Sequence, residues 1–339
     1  MLVPEAHPSN LRRRWPDLAL GRIVLGTAPT PVRPMETVTV GRDVRLWAKR
    51  EDAYGDGAWG GNKVRKLEWI LAEAQRRGVR TLLTVGGIGT NWGLVCATYG
   101  AEHGFRTVLG LLDQPEDDRV REHLERLERS DAVIHRFSDK RALRRALPGL
   151  MLRYAFGGVS GRTSPRFPWY LPVGGSNAFG TLGYVETAFE IAEQVRTGTL
   201  PEPASLVVPV GSGGTIAGLA LGLRIAGLKT RILGVVVNDA VPLDAPVLVQ
   251  LANATGRLLR QRGATEVPTL TPHDLDVRYD WLGRTYGDPT PEALEAVAAA
   301  AEVGLVLEPV YTGKALAAIA SLGTSLPGPV LWLDTYGPR

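Results

Sequence analysis

The chain has 339 residues, of which 44% are hydrophobic and 22% are charged, and its formal net charge is +4. This length suggests two domains, and the composition is typical of a globular protein. The single cysteine excludes an intrachain disulfide, and no apolar run approaches the ~20 residues that a membrane span needs. Arginines interleaved with acidic residues favour a solvated helix face over a nucleic-acid site. We therefore expect a cytoplasmic protein without a signal peptide, a metal site, a membrane partner or a nucleic-acid partner.

Apolar strand-like segments alternate with helical segments along the chain. The strand-like segments are residues 82–85, 108–112, 206–210, 232–237 and 330–333. Continuous Val and Leu runs without polar alternation predict parallel strands that are covered on both faces. The alternation with helices predicts an α/β fold.

Three further segments are predicted from local patterns. Residues 63–76 carry apolar side chains at helical spacing and end before Gly78, which predicts an amphipathic helix. Residues 288–302 begin with Asp288-Pro289-Thr290-Pro291 and predict a second helix start. Residues 157–168 are rich in Gly, Ser, Arg and Pro, and predict a loop or a crossover between domains.

A glycine-rich segment places a lysine at the start of the first predicted helix. Gly60 and Gly61 precede Asn62 and Lys63. Glycines let the backbone approach a bound molecule, and the helix then fixes the lysine, as a buried Schiff-base lysine requires. Lys66, one turn further on the same face, would lower the pKa of the Lys63 amine and so favour the nucleophilic neutral form. The alternative is a flexible loop before an ordinary exposed helix.

A second glycine-rich loop lies between the apolar segment 206–210 and an apolar helical segment. Its residues are Gly211, Ser212, Gly213, Gly214 and Thr215. Backbone N–H groups at a helix N-terminus bind phosphate. A dinucleotide-binding site would need a third glycine where Ile216 stands, and a P-loop would need a lysine that is absent. The pattern predicts a cradle for a single phosphate group, and the alternative is a tight turn without a ligand.

Together these segments resemble the fold-type II pyridoxal-5′-phosphate (PLP) enzymes, and within them the D-cysteine desulfhydrase and 1-aminocyclopropane-1-carboxylate (ACC) deaminase family. The matching segments are residues 49–52 with 60–68, 86–91, 172–184, 211–215, and 286–287 with 308–314. Each segment alone is weak, but five in order along most of the chain are specific. The resemblance implies PLP as cofactor and a tryptophan synthase β-like α/β fold, with two open, twisted, mostly parallel sheets flanked by helices.

The resemblance also implies cofactor-binding roles. Lys63 would form the Schiff base, Lys66 would help to hold the phosphate, and Asn91 would hydrogen-bond the cofactor 3′-oxygen. The phosphate would lie in the loop of Gly211, Ser212, Gly213, Gly214 and Thr215. Thr312 would face the pyridine nitrogen, where the deaminase branch carries a glutamate and the desulfhydrase branch a threonine. A hydroxyl deepens the electron sink less than a carboxylate, so Thr312 favours rapid loss of a β-leaving group over ACC ring opening.

Catalysis and substrate binding are assigned by the same resemblance. The expected catalytic residues are Lys63, Thr90, Tyr286 and Tyr311, and the expected substrate contacts are Thr90, Asn91, Trp92, Ser176 and Tyr286. The expected large domain comprises residues 1–64 and 178–339, and the expected small domain residues 65–177. The cofactor would lie in the cleft between them, and the enzyme would be a homodimer.

The sequence departs from the family pattern where the substrate should lie. The family usually has Gln-Ser-Asn followed by His or Gln in the loop that here contains Thr90 and Trp92, and His-Thr-Gly-Gly where residues 334–337 stand. If Trp92 lines the pocket, the substrate differs from D-cysteine and ACC, and Trp92→His is expected to raise D-cysteine elimination. Alternatively, the indole packs in the core.

The predicted reaction is β-elimination from an amino acid, with Lys63 as the general base. The β-substituent leaves, and hydrolysis of the aminoacrylate gives a 2-oxo acid and ammonia. N–H groups around Thr90 and Asn91 would bind the substrate carboxylate. Two alternatives stay open: a PLP-dependent β-replacement synthase, and a non-catalytic PLP-binding homologue.

Overall fold

A computed structural model describes residues 9–35, 44–57, 59–114, 116–156 and 166–337. These residues form ten strands and ten α-helices, arranged as two separate sheets with helices packed against them. The predicted crossover at 157–168 lies, up to residue 165, outside the described residues. Within the part of the chain that the structure describes, every helix is too short or too polar to span a bilayer.

The larger sheet contains six strands in the order β1-β2-β10-β7-β8-β9. Its strands are β1 (Val32–Pro34), β2 (Leu46–Arg50), β7 (Ser205–Val210), β8 (Arg231–Val236), β9 (Asp276–Arg278) and β10 (Val330–Asp334). Only the edge pair β1–β2 is antiparallel among these described strands. The central strands β2, β10 and β7 therefore end at the same edge of the sheet, where parallel α/β sheets bind ligands.

The smaller sheet contains four parallel strands in the order β5-β4-β3-β6. Its strands are β3 (Thr81–Gly87), β4 (Arg106–Leu112), β5 (Val133–Phe137) and β6 (Trp169–Leu171). The two sheets are separate, which supports the division of the chain near residues 64 and 177; we retain that division as a proposal.

The helices connect and cover the strands. They are α1 (Asn10–Arg14), α2 (Lys63–Arg76), α3 (Asn91–Glu102), α4 (Asp118–Glu128), α5 (Lys140–Phe156), α6 (Ala178–Arg196), α7 (Gly214–Ala226), α8 (Ala245–Gln261), α9 (Pro291–Glu302) and α10 (Thr312–Leu322). The helix predicted over 63–76 is confirmed at both ends. The start predicted near residue 288 is Pro291, which follows the N-cap Thr290.

The central strands β7, β8 and β10 of the larger sheet are buried on both faces, as their continuous apolar sequences predict. All six residues of β7 are buried. Leu206, Val208 and Val210 belong to the core beneath α6, α7 and α8, whereas Val207 belongs to the core beneath α9 and α10. Side chains alternate along a strand, so both faces must be apolar when helices cover both. The predicted fold class is confirmed.

A buried ionic cluster fixes α2 against the larger sheet. Arg65 donates hydrogen bonds of 2.6 and 2.8 Å to the two carboxylate oxygens of Glu51, and its Nη2 lies 3.0 Å from Glu190. Lys49 of β2 donates a hydrogen bond to the same Glu190. All four side chains are buried. Buried charges of this kind persist only when they are paired, so the cluster sets the position of the helix that begins at Lys63.

Candidate active site

The phosphate-loop residues join β7 to α7 at the ligand-binding edge of the larger sheet. Gly213 has a φ of +84°, and α7 begins at the next residue. A Cβ on Gly213 would lie 2.4 Å from Leu248, and one on Gly211 would lie 2.6 Å from Tyr311. Asn238 donates a 2.7 Å hydrogen bond to the Gly211 carbonyl and orients the loop. The loop thus needs glycine for its conformation and for close packing, and it leaves N–H groups at a helix N-terminus.

Lys66 and Ser176 meet at this loop. The Nζ of Lys66 donates hydrogen bonds to the Gly174 carbonyl at 3.2 Å and to Ser176 Oγ at 3.4 Å. Ser176 Oγ accepts a 3.0 Å bond from the Gly214 N–H and donates a 2.9 Å bond to Ser212 Oγ. Burial, followed by the charge of Lys63, lowers the pKa of Lys66. Ser176, expected at the substrate, therefore makes its contacts with the phosphate loop.

Lys63 is the first residue of α2 and follows the carboxyl end of β2 after a short connection. Its Nζ donates a 2.9 Å hydrogen bond to Asn62 Oδ1. Burial lowers its pKa from 10.5 to about 8, and the carboxylate of Glu308 opposes this shift. A lysine held in this way carries a substantial neutral fraction near neutral pH, as a nucleophile or a general base requires.

A cavity that is open to solvent joins Lys63 to the phosphate loop. It is lined by Asn62, Lys63, Pro209, Val210, Gly211, Ser212, Gly213, Thr215, Ile216, Tyr311 and Thr335. Most of these residues lie at or just beyond the carboxyl ends of β2, β7 and β10, three neighbouring strands, and Tyr311 directly precedes α10. The sheet topology therefore brings together the lysine, the phosphate loop and Tyr311, which are separated along the chain.

Tyr286 and Tyr311 form a pair beside the cavity. Their hydroxyl oxygens lie 2.8 Å apart, and their rings meet edge to face. Burial raises the pKa of both phenols. Both therefore stay neutral at physiological pH, so that one hydroxyl proton remains available to a bound molecule.

The loop between β3 and α3 contains Thr90 and Asn91. Thr90 is the N-cap of α3, and its Oγ1 accepts a 3.2 Å hydrogen bond from the Gly93 N–H. Asn91 Oδ1 is buried and has no hydrogen-bond partner among the described residues. A buried acceptor without a partner is unfavourable, so this atom suits a ligand that supplies a donor.

Trp92 is packed in the core of the smaller sheet's layer. Its side chain is 2% exposed, and its Nε1 donates a 2.9 Å hydrogen bond to Thr84 Oγ1. The outer edge of the ring lies against Gly175, where a Cβ would be 2.6 Å away. The described residues that line the cavity do not include Trp92. The packing alternative therefore fits its position, and any influence on a substrate would pass through Gly175.

Thr312 is buried at the start of α10. Its Oγ1 accepts a hydrogen bond from the Glu308 N–H and donates one to the Glu308 carbonyl, both at 3.1 Å. It is also outside the cavity lining that the described residues form. The structure thus couples Thr312 to Glu308, and its expected place at the pyridine nitrogen stays a prediction.

Three site residues had no role in the sequence-based assignment. Asn62 and Thr335 line the cavity, and Asn62 bonds Lys63. Arg119 of α4 reaches Glu308 across 189 positions of the sequence. The position of Asn62 next to Lys63 was a usable signal, because a neighbouring amide can hold an amine. No local pattern marks Arg119, which lies among many arginines of the helix face.

The donor set fits a phosphorylated aldehyde. The Gly211–Thr215 segment provides N–H groups at the N-terminus of α7, with the buried Lys66 amine beside Gly214. Lys63 opens into the same cavity with a lowered pKa and can attach to the aldehyde. Asn91 offers a buried oxygen that has no hydrogen-bond partner in the described part of the chain. These are the features that PLP needs: phosphate binding, a reactive amine and polar contact at the ring.

Comparisons with known proteins agree with this reading. A protein-family model described as "Pyridoxal-phosphate dependent enzyme" matches residues 23–333. The chain is 34% identical over 321 residues to the D-cysteine desulfhydrase of Klebsiella pneumoniae (strain 342), covering 93% of this chain and 94% of the relative. A solved structure described as "Crystal Structure Analysis of the ACC deaminase homologue" matches with a TM-score of 0.79 and 27% identity, covering 97% of this chain and 94% of that chain. The chain therefore belongs to the fold-type II pyridoxal-phosphate dependent enzymes, in the D-cysteine desulfhydrase and ACC deaminase family, and it is a PLP-dependent lyase.

Proposed function

We propose that this lyase catalyses β-elimination from a β-substituted amino acid and releases a 2-oxo acid and ammonia. The observation that carries the proposal is Lys63, a lysine of lowered pKa that shares one cavity with the phosphate loop. The named relatives, a D-cysteine desulfhydrase and an ACC deaminase homologue, support a reaction at an amino acid. PLP, when bound, supplies an electron sink that acidifies the Cα–H of the amino acid.

Residues of this chain transfer the proton, bind the substrate carboxylate and donate to the leaving group. Lys63 Nζ, neutral in a substantial fraction near pH 8, takes the proton from Cα as general base. The N–H groups at the N-terminus of α3, around Thr90 and Asn91, bind the substrate carboxylate. The paired hydroxyls of Tyr286 and Tyr311 lie beside the cavity and stay protonated, so they can donate to the leaving group.

The cofactor contacts follow from the same geometry. Lys66 and the loop of Gly211, Ser212, Gly213, Gly214 and Thr215 hold the phosphate. Ser176 joins this set, because it bonds Lys66, Ser212 and the Gly214 N–H. A phosphate dianion near Lys66 would favour its charged form and offset the lowering of its pKa by burial.

A panel of D- and L-amino acids with β-substituents tests the proposal, with 2-oxo acid release as the readout. D-Cysteine, ACC and β-chloroalanine belong in the panel. We expect release from at least one β-substituted substrate and its loss in Lys63→Ala. Adding a thiol distinguishes elimination from replacement, because a β-replacement synthase would then form a new thioether instead of the 2-oxo acid. Absence of 2-oxo acid release across the whole panel would contradict the proposal.

We further propose a cytoplasmic homodimer, on the resemblance to the family alone. Light scattering after size-exclusion chromatography tests the dimer, which predicts about twice the chain mass of 36.5 kDa. A monomer would contradict it.

A further inference from the structure

Arg119 connects the layers of the two sheets. It lies in the first turn of α4, beside the smaller sheet, and its Nη1 donates a 2.9 Å hydrogen bond to Glu308 Oε2. Glu308 lies in the segment before α10, beside the larger sheet. Arg119 is therefore a cation from one layer that reaches a carboxylate of the other layer next to the catalytic cavity.

Two neighbours of Arg119 in α4 contact the loop that precedes α3. Val120, the next residue, packs on Gly89, where a Cβ would be 2.9 Å from Val120 Cγ2. His123, one turn later, has its Nδ1 3.0 Å from the Gly89 carbonyl oxygen. Gly89 belongs to the loop that leads to Thr90 and Asn91. The first turn of α4 thus lies directly on the loop that is expected to bind the substrate carboxylate.

The charge of Arg119 also acts on the tyrosine pair. Burial raises the pKa of Tyr286 and of Tyr311, and in both cases the charge of Arg119 opposes the rise. The guanidinium therefore lies within electrostatic range of both phenols. Arg119 is therefore near the loop that contains Gly89 and within electrostatic range of the tyrosines that border the cavity.

The Glu308 carboxylate also accepts hydrogen bonds from the backbone. Its Oε1 accepts hydrogen bonds of 2.7 Å from the N–H groups of Tyr311 and Thr312, and its Oε2 accepts one of 2.8 Å from Val310. Glu308 thus caps the start of α10. Arg119 is therefore one of several donors to this carboxylate.

The guanidinium of Arg119 has further N–H donors that can bind an anion. It has five N–H donors, and its hydrogen bond to Glu308 uses one of them. Its other ion-pair partner, Asp117, is 3.5 Å away and has a side chain that is 58% exposed. The Arg119 side chain itself is 21% exposed, so a small anion can reach it from solvent.

We propose that Arg119 is a specificity residue that binds a negatively charged group on the β-carbon of the substrate amino acid. This inference rests on the proposed function, because it assigns the substrate class of the same site. A planar fork of N–H donors suits carboxylate, sulfonate, sulfate and phosphate groups. The α-carboxylate has its own site at the N-terminus of α3, which leaves Arg119 for the second anion.

Binding of aspartate and asparagine to the holoenzyme tests the inference without any turnover. These ligands are nearly isosteric, but only aspartate carries a negative group on the β-carbon. We expect calorimetry to show that one enantiomer of aspartate binds about tenfold or more tightly than the matching asparagine. Arg119→Gln should abolish this preference, whereas Arg121→Gln, on the exposed side of the same helix, should retain it. Equal binding of the two ligands to the wild type, or an unchanged preference in Arg119→Gln, would overturn the inference.

Kinetics provide the second test and separate the two proposals. Serine O-sulfate carries an anionic β-substituent, and β-chloroalanine carries a neutral one. In each elimination the Cα proton passes to Lys63, the β-substituent leaves with the electron pair of its bond, and water completes the release of pyruvate and ammonia. Arg119→Gln should lower kcat/KM for serine O-sulfate about tenfold more than for β-chloroalanine.

The outcomes of the two tests distinguish the possible failures. An equal loss for both substrates would mean that Arg119 binds the α-carboxylate or only connects the two layers, and would overturn the inference. Pyruvate release from neither substrate, together with an aspartate preference that depends on Arg119, would contradict β-elimination and leave the anion site standing.

Discussion

Lys63 Nζ donates a 2.9 Å hydrogen bond to Oδ1 of Asn62, the residue that precedes it in the chain. Asn62 is buried and its Nδ2 lies 3.4 Å from Thr215 Oγ1, at the start of α7. One amide therefore connects the reactive amine to the phosphate loop. This link holds the lysine in the cavity before any cofactor is attached.

Cofactor capture by the apoenzyme should depend on pH through Lys63. The neutral amine attacks the aldehyde, and burial lowers the pKa of Lys63 to about 8. The second-order rate of PLP attachment should therefore rise up to about pH 8 and level off above it. Stopped-flow absorbance of the forming Schiff base measures this rate. A rate that keeps rising towards pH 10, as for an exposed lysine, would show that Lys63 is not desolvated.

Glu308→Gln tests the direction of the electrostatic effect on the pH profile of PLP attachment. The carboxylate of Glu308 raises the pKa of Lys63, so its removal should shift the profile to lower pH. A shift to higher pH would contradict the electrostatic assignment.

Lys66 should govern phosphate affinity rather than covalent attachment. Lys66→Met removes a buried ammonium at the Gly214 end of the loop but leaves Lys63 intact. A charge-assisted contact contributes roughly 1.5–3 kcal/mol, so the Kd for PLP should rise about tenfold to a hundredfold. Fluorescence titration of the apoenzyme measures this. Lys229→Met, at an exposed position, is the matched control; equal Kd values for the two variants would contradict the role of Lys66.

Trp92 should act as a core residue. Trp92→His leaves a void against Gly175 and changes the partner of Thr84, so we expect a loss of about 3 kcal/mol or more in folding stability. Thermal unfolding of the holoenzyme measures this. The substitution should not raise D-cysteine turnover, because the indole is only 2% exposed, packs against Gly175 and is hydrogen-bonded to Thr84. Increased D-cysteine turnover in this variant would show that the indole contacts the substrate after all.

The cluster at Arg65 should matter to stability more than any surface ion pair. Arg65→Met leaves Glu51 and Glu190 buried with one cationic partner fewer, and breaking a buried pair costs about 3–5 kcal/mol. The unfolding midpoint should fall by about 4–7 °C. Arg224→Met, which breaks an exposed pair with Asp274, should lower it by only about 1 °C. Similar shifts in both variants would refute the anchoring role of Arg65.

Elements with a local signal were predictable from the sequence. The helix that begins at Lys63 and the strand that leads to Gly211 both follow from apolar periodicity and glycine placement. The direction of the Trp92 indole did not follow, because it depends on Thr84 and on Gly175, a residue of another segment. The Arg119–Glu308 contact joins residues 189 positions apart and leaves no trace in local sequence. Such contacts depend on how the two sheet layers pack against each other. The apolar periodicity of a segment gives no information about that packing.

PLP is expected to attach covalently to Lys63, and borohydride reduction locates the lysine to which it is attached. The reduced holoenzyme is digested, and the phosphopyridoxyl-lysine is located by mass spectrometry. We expect the label on Lys63, with the absorbance band of the Schiff base absent from Lys63→Ala. A label on Lys66 or on any other lysine, or an unchanged band in Lys63→Ala, would contradict the account.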